Sequence, residues 1–237
     1  MGLLYNFRGI AGEDLTPDIA LKIGNLAADF FLRGNVAVGS DHRTSSPMLK
    51  SALIAGLISK GCEVVDYGLL PTPVVAYLTK VRHDGGSMIT ASHNPPEWNG
   101  IKFFNSEGLV FGPEEENEMK NRMSLPLEYE SWEKISSVSI DRNGLYFYLK
   151  SLLDCINLGS KELKIVVDAG GGVGALAIPR LLEEMGFQVV KLNCTLDPFF
   201  KGRPPEPRPE NLLICHVKLE RRMPIWDLPM MEIVIEL

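Results

Sequence analysis

The sequence predicts an α/β fold built from two related modules with largely parallel sheets. Three observations carry this. Short runs rich in Val and Ile alternate with segments of helical period. Two of those runs end in Asp (Asp41 and Asp168), and each is followed by a helical segment, a Gly (Gly61, Gly186) and a run with a Val-Val pair. No apolar run approaches the ~20 residues that would span a bilayer.

Thr16-Pro17-Asp18 starts a helix with Pro at its first position, and Ile19, Ile23, Leu26, Ala27 and Phe30 recur at helical spacing. Gly34-Asn35 ends it, and Val36 to Gly39 is a buried strand running into Ser40-Asp41. Ser46-Pro47 opens a second helix, Lys60-Gly61 closes it, and Cys62 to Asp66 is the next strand. Pro71-Thr72-Pro73 breaks the chain before a short helix through Leu78. Ser87 to Thr90 is a third strand, Ile101–Phe104 and Leu109–Phe111 suggest a hairpin-like pair, and Pro113 to Met123 reads as a charged, exposed helix. A linker is expected from Leu125-Pro126 to Ser139. The second module opens with a helix around Leu145 to Leu158, then a strand Leu163–Asp168, a glycine-rich turn, a helix Ala175–Met185 and a strand Gln188–Leu192.

The chain has 237 residues, 45% of them apolar and 23% charged, as in an ordinary soluble globular protein. Its net charge of −6 argues against nucleic-acid binding through phosphate neutralisation. It leaves an anionic small substrate open, because local charge in a cleft can oppose the net charge. The first residues lack the basic region and apolar stretch of a signal peptide. Cys62, Cys155, Cys194 and Cys215 are scattered without a C-x-x-C pair, the pattern of buried free thiols in a cytoplasmic protein. No membrane partner is expected, and the oligomeric state is not legible.

The informative stretch runs from Gly86 to Lys102. A strand ends in a polar loop that Asn94-Pro95-Pro96 keeps from becoming helix. Loops at the carboxyl ends of parallel strands are where open α/β sheets place ligands, so Ser92 sits where a nucleophile would be useful. A serine hydroxyl is weak unless a neighbour takes its proton or the group it carries is activated, and His93 and Lys102 are the nearby candidates. The same residues also read as a plain Asn-Pro surface turn. Gly170-x-Gly172-x-x-Ala175 formally fits a dinucleotide fingerprint, but the next strand ends Lys191-Leu192-Asn193 with no acid for a ribose. Those glycines read as a tight turn, and no dinucleotide cofactor is expected.

Thr90-Ala91-Ser92-His93-Asn94-Pro95, followed by Asn99-Gly100-Ile101-Lys102, resembles the phosphoserine loop of the α-D-phosphohexomutases, the phosphoglucomutase/phosphomannomutase superfamily. Phe7-Arg8-Gly9-Ile10, Val38 to Ser45, Val166 to Gly174 and Glu206 to Leu212 resemble further family segments in family order. The resemblance implies domain I over residues 1–135, an incomplete domain II over 136–213, and a reaction moving phosphate between O6 and O1 of a hexose phosphate. Phosphorylated Ser92 would donate its phosphoryl group, a hexose 1,6-bisphosphate would form and turn over, and Mg²⁺ bound through the Ser92 phosphate would offset charge. Lys102 is implied as acid/base or charge-stabilising group, and Arg8 as a phosphate fork. For His93, a bond to phosphate, positioning of Ser92 and a structural bond to the loop all stay open. Asp41 and Arg43 are expected to be a loop-bracing ion pair. The implied activity is that of a phosphomannomutase/phosphoglucomutase; phosphoglucosamine mutase, an inactive fragment and a serine-dependent phosphatase are the alternatives.

The family's D-G-D-x-D-R metal loop and domains III and IV are absent from the sequence. Read from the third base of each codon, Met223 to Leu237 permits A-D-L-G…D-G-D-S-D-R, with Ala, Gly, Asp and Gly forced. A frameshift near Leu212 to Ile214 is therefore expected, making residues 214–237 a scrambled tail with part of the second sheet disordered or mispacked and little activity in the chain as written.

Overall fold

The structure, a computed structural model, describes residues 7–156, 164–212 and 230–234. The chain divides into two compact units: 1–91 with 97–144, and 92–96 with 145–237.

The first unit holds strands β1 (Arg8–Ile10), β2 (Asn35–Ser40), β3 (Glu63–Leu69), β4 (Gly85–Ile89), β5 (Trp98–Phe104) and β6 (Val138–Ile140), with helices α1 (Pro17–Phe30), α2 (Ser46–Ser59), α3 (Thr72–Arg82) and α4 (Pro113–Arg122). Its sheet runs β1-β5-β4-β2-β3-β6. β2, β3, β4 and β6 are parallel, while β5 is antiparallel to both β4 and β1. The period of two along β2 makes this a three-layer unit. Val36 and Val38 belong to the core under α1 and α2, with Ile23, Leu26, Leu53 and Leu57. Gly39 faces the other way, where an added Cβ would lie 2.5 Å from Val75 of α3. Phe7, Phe31, Phe103 and Phe111 form an aromatic cluster beside the α1 layer.

Most boundaries fall where the sequence places them: Pro17 opens α1, and Ser46-Pro47 opens α2. Three readings are corrected and one is extended. Pro71-Thr72-Pro73 does not stand apart from a helix ending at Leu78; α3 begins at Thr72, with Pro73 tolerated in its first turn, and runs on to Arg82. Ile101–Phe104 belongs to β5, whose ladders go to β4 and β1, and it also carries the expected hairpin-like pair: Val110 bridges antiparallel to Phe104, with the Asn105 amide donating to the Leu109 carbonyl at 2.9 Å and the Phe111 amide to the Phe103 carbonyl at 3.0 Å. α4 is not wholly exposed, because Met119 is buried in the core. Val138–Ile140, which begins inside the expected linker, pairs in parallel with β3 as an edge strand.

The second unit carries α5 (Gly144–Cys155), whose first residue closes the first unit, then β7 (Lys164–Asp168), α6 (Ile178–Glu184), β8 (Gln188–Leu192) and β9 (Met230–Val234). Its sheet is parallel throughout, in the order β8-β7-β9. The helix expected over 175–185 is split into a 3-10 turn, Val173–Leu176, followed by α6. Leu149 of α5 packs with Ala177 and Leu181, and Leu182 packs with Ile165 and Val167 of β7. Within the expected scrambled tail, β9 is described and lies in register with β7, while residues 214–229 and 235–237 lie outside the described residues.

Cys62, Cys155 and Cys194 are free thiols; Cys62 is buried and pushed up to about 12 by that burial, but Cys155 is exposed, contrary to expectation. Cys215 lies outside the described residues. Among the described residues no helix is long and apolar enough to cross a membrane.

Candidate active site

In the first unit the site is built on β1 and β5. Arg8 pairs directly with Gly100. A Cβ on Gly100 would lie 2.6 Å from the Cγ of Arg8 and 2.9 Å from the Thr90 carbonyl, so only glycine lets the arginine lie across the strand there. Two residues further along β5, on the same face, stands Lys102. Burial, and then the Arg8 cation, hold the Lys102 ammonium below the usual lysine range. The Arg8 Nε is buried without a hydrogen-bond partner among the described residues. The two cations thus act on one another, and the like charge adds to burial in disfavouring the charged form of the lysine.

Beneath the start of β5 lies a buried polar network. The Asp41 carboxylate is 3.1 Å from the Nε of Arg43, and both side chains are shielded from solvent. Arg43 Nη1 donates to the Trp98 carbonyl at 3.1 Å, and Ser46 Oγ donates to Asp41 at 2.5 Å. Asn99 Nδ2 donates to the hydroxyls of Ser45 and Ser46, and its Oδ1 accepts from the Gly100 amide at 2.8 Å. This is the bracing role expected of Asp41 and Arg43: the loop after β2 fixes the residues that precede Gly100 and Lys102. It also gives Asn99 a physical purpose that spacing alone does not reveal.

Residues 92–96 group with the second unit. Ser92 adopts a left-handed backbone with φ of 56°, a conformation that costs a non-glycine residue energy and is concentrated at functional sites. Its Oγ lies 3.4 Å from His93 Nδ1. On the far side of the same ring, His93 Nε2 lies 3.4 Å from Glu206 Oε2. The described contacts thus bring Arg8 together with Lys102, and Ser92 together with His93. Sequence reasoning missed Glu206; its signal was the Pro205-Glu206-Pro207 run, which stiffens the backbone around one acid.

At the end of β7, Asp168 organises the glycine turn. Its Oδ1 accepts from the Gly170 amide at 2.8 Å and from Asn193 Nδ2 at 3.0 Å. The amides of Gly171 and Gly172 donate to Asn193 and Ala169 carbonyls. The amides of Gly170, Gly171 and Gly172 are thus all engaged in closing a tight turn.

Mg²⁺ needs several oxygen ligands. Among the described residues, no group of three or more His, Cys, Asp or Glu is placed to hold a metal ion, and the Ser92 hydroxyl is a single donor. The described residues by themselves do not fit a metal centre.

Residues 4–129 match the family model described as phosphoglucomutase/phosphomannomutase, alpha/beta/alpha domain I, and residues 146–221 match domain II. The fold and loop are those of a phosphosugar mutase scaffold, and the chain belongs to the phosphoglucomutase/phosphomannomutase family of the α-D-phosphohexomutase superfamily. It is 44% identical over 206 residues to a protein of Methanopyrus kandleri named "Probable phosphoglucosamine mutase", covering 86% of this chain and 46% of that one. It is 42% identical over 206 residues to a phosphopentomutase of Thermococcus kodakarensis, covering 86% and 45%. A crystal structure of a phosphoglucomutase/phosphomannomutase family protein from Burkholderia thailandensis superposes with a TM-score of 0.83 at 31% identity, over 92% of this chain and 49% of the other. The chain spans about half the length of the curated relatives it matches.

Proposed function

We propose that this chain carries the phosphoryl-accepting half of a phosphohexomutase, with Ser92 as the residue that takes up and returns the phosphoryl group. The observation that carries this reading is Ser92 itself: a serine held at φ 56° beyond the carboxyl end of β4, its Oγ 3.4 Å from an imidazole nitrogen. Arg8 supplies a fixed fork for phosphate oxygens, and Lys102, with its ammonium weakened by burial and by Arg8, supplies charge or a proton. The substrate is a hexose phosphate and the carrier form a hexose 1,6-bisphosphate. The name of the relative from M. kandleri supports a glucosamine phosphate, and a comparably similar relative is named a phosphopentomutase.

The test is to incubate the full chain with glucose 1,6-bisphosphate and follow its intact mass. Gain of one phosphate on Ser92, absent from Ser92→Ala, supports the reading; a wild-type chain that gains none overturns it. A companion incubation with Mg²⁺ and glucose 1-phosphate or glucosamine 1-phosphate separates three activities. Isomerisation marks a mutase, release of free phosphate marks a phosphatase, and no change marks an inert fragment.

A further inference from the structure

We propose that Glu206 is a positioning residue for the Ser92 hydroxyl, acting through His93. The inference rests on the reading of Ser92 as phosphoryl carrier and adds a residue to it. Three side chains stand in line: Ser92 Oγ, 3.4 Å to His93 Nδ1, and His93 Nε2, 3.4 Å to Glu206 Oε2.

Glu206 is aimed by its backbone. Pro205 and Pro207 fix φ on either side of it. Its carbonyl accepts from Asn211 Nδ2 at 2.7 Å and from the Arg208 amide at 2.9 Å. Just upstream, Arg203 Nη1 donates to the carbonyls of Pro204 and Pro205, while its Nε pairs with the buried Asp168. The acid therefore projects from a segment braced to the end of β7.

A carboxylate facing Nε2 can only accept, so it holds the proton of a neutral imidazole on Nε2 and leaves the lone pair on Nδ1. Nδ1 then accepts from the Ser92 hydroxyl, which turns an oxygen lone pair outward for attack. In phosphoryl uptake the Oγ–P bond forms as the donor sugar's O–P bond breaks. The electron pair leaves with the sugar oxygen, the hydroxyl proton passes to His93 Nδ1, and His93 gives it up to solvent as the sugar oxygen takes one from solvent, so that one proton moves in net from Ser92 to the sugar. His93 and Glu206 are 40% and 39% exposed, so their pairing adds little to stability and its loss leaves the fold standing.

The experiment compares wild type, Glu206→Ala and Glu206→Gln as full chains. It measures the rate and half-saturation of Ser92 phosphorylation by glucose 1,6-bisphosphate, and the His93 tautomer by ¹⁵N imidazole NMR. Glu206→Ala is expected to slow the maximal rate about tenfold to a hundredfold with half-saturation unchanged. Glu206→Gln, whose amide oxygen still accepts from Nε2–H, stays near the wild-type rate. The lone pair resides on Nδ1 in wild type and Glu206→Gln, and the tautomers mix in Glu206→Ala. An unchanged rate in Glu206→Ala, equal slowing in both variants, or one tautomer ratio in all three chains would overturn the proposal. If wild type takes up no phosphate, the carrier reading fails by itself, and the NMR comparison still decides whether Glu206 orients His93.

Discussion

The Nε of Arg203 lies 3.1 Å from Oδ1 of Asp168, and both side chains are almost fully withdrawn from water. That one carboxylate oxygen also holds the Gly170 amide and Asn193 Nδ2, so the end of β7, the loop after β8 and the segment leading to Glu206 converge on it. Removing one partner strands a buried charge. Arg203→Met is expected to cost about 3–5 kcal/mol in urea unfolding, and the double variant with Asp168→Asn less than the sum of the two single changes. A loss in Arg203→Met below about 1 kcal/mol, the scale of an exposed pair, would show that the ion pair is not a structural tie.

Gly100→Ala tests the approach of β1 to β5. The new Cβ would press on the Arg8 side chain at 2.6 Å and on the Thr90 carbonyl at 2.9 Å. The backbone contact cannot swing aside, so strain of about 1–3 kcal/mol is expected in thermal or urea unfolding. Arg8 is displaced with it. Wild-type stability together with an unmoved Arg8 resonance would contradict this reading of the Asn99-Gly100 pair.

The parts of this architecture that were legible are those that local chemistry decides. Pro17 and Pro47 can sit in the first turn of a helix but not inside one, so the starts of α1 and α2 were readable to the residue, while α1 ends at Phe30, short of the expected Gly34-Asn35. Asp41 and Arg43, two apart after a strand, could be read as a brace because their partners are near in sequence. What stayed hidden depends on distant partners. Val138-Ser139-Ile140 is too short to signal a strand and becomes one only because the edge of β3 is open to it. The short pairing of Leu109–Phe111 with the end of β5 was legible because its partners are near in sequence, whereas the ladders of β5 to β4 and β1 were not. Ser92 and His93 were visible as neighbours, whereas Glu206 lies more than a hundred positions away and could be joined to them only in three dimensions.

Arg8 acts on Lys102 through space. Burial is the larger cause of the weakened ammonium and the Arg8 cation the second. Arg8→Gln removes the like charge and leaves the burial, so the Lys102 titration midpoint should move up, though not to the value of a free lysine. The direct measurement is ¹⁵N or ¹³C NMR of the Lys102 side chain across alkaline pH. A midpoint that stays put or falls would mean that the two cations are insulated from one another.

His83 offers a test of the first unit that is independent of the site. Its Nδ1 lies 2.5 Å from Asn35 Oδ1 and its Nε2 2.8 Å from the Tyr67 hydroxyl. Burial, then the neighbouring Arg82 cation, lower the ring from 6.5 to about 4, with Asp84 and Asp141 opposing. On unfolding, the ring regains its ordinary affinity for a proton. Between those two values the unfolded chain holds more protons than the folded one, so the contribution of His83 to stability is full above 6.5 and declines as pH falls towards 4. His83→Gln should be less stable than wild type at neutral pH by about 1–3 kcal/mol, through the buried partners it leaves unpaired. That gap should narrow steadily on acidification through the same interval. Unfolding curves measured at several pH values for both chains would decide it: a gap that is constant, or that widens as pH drops, means the ring is not held neutral between Asn35 and Tyr67.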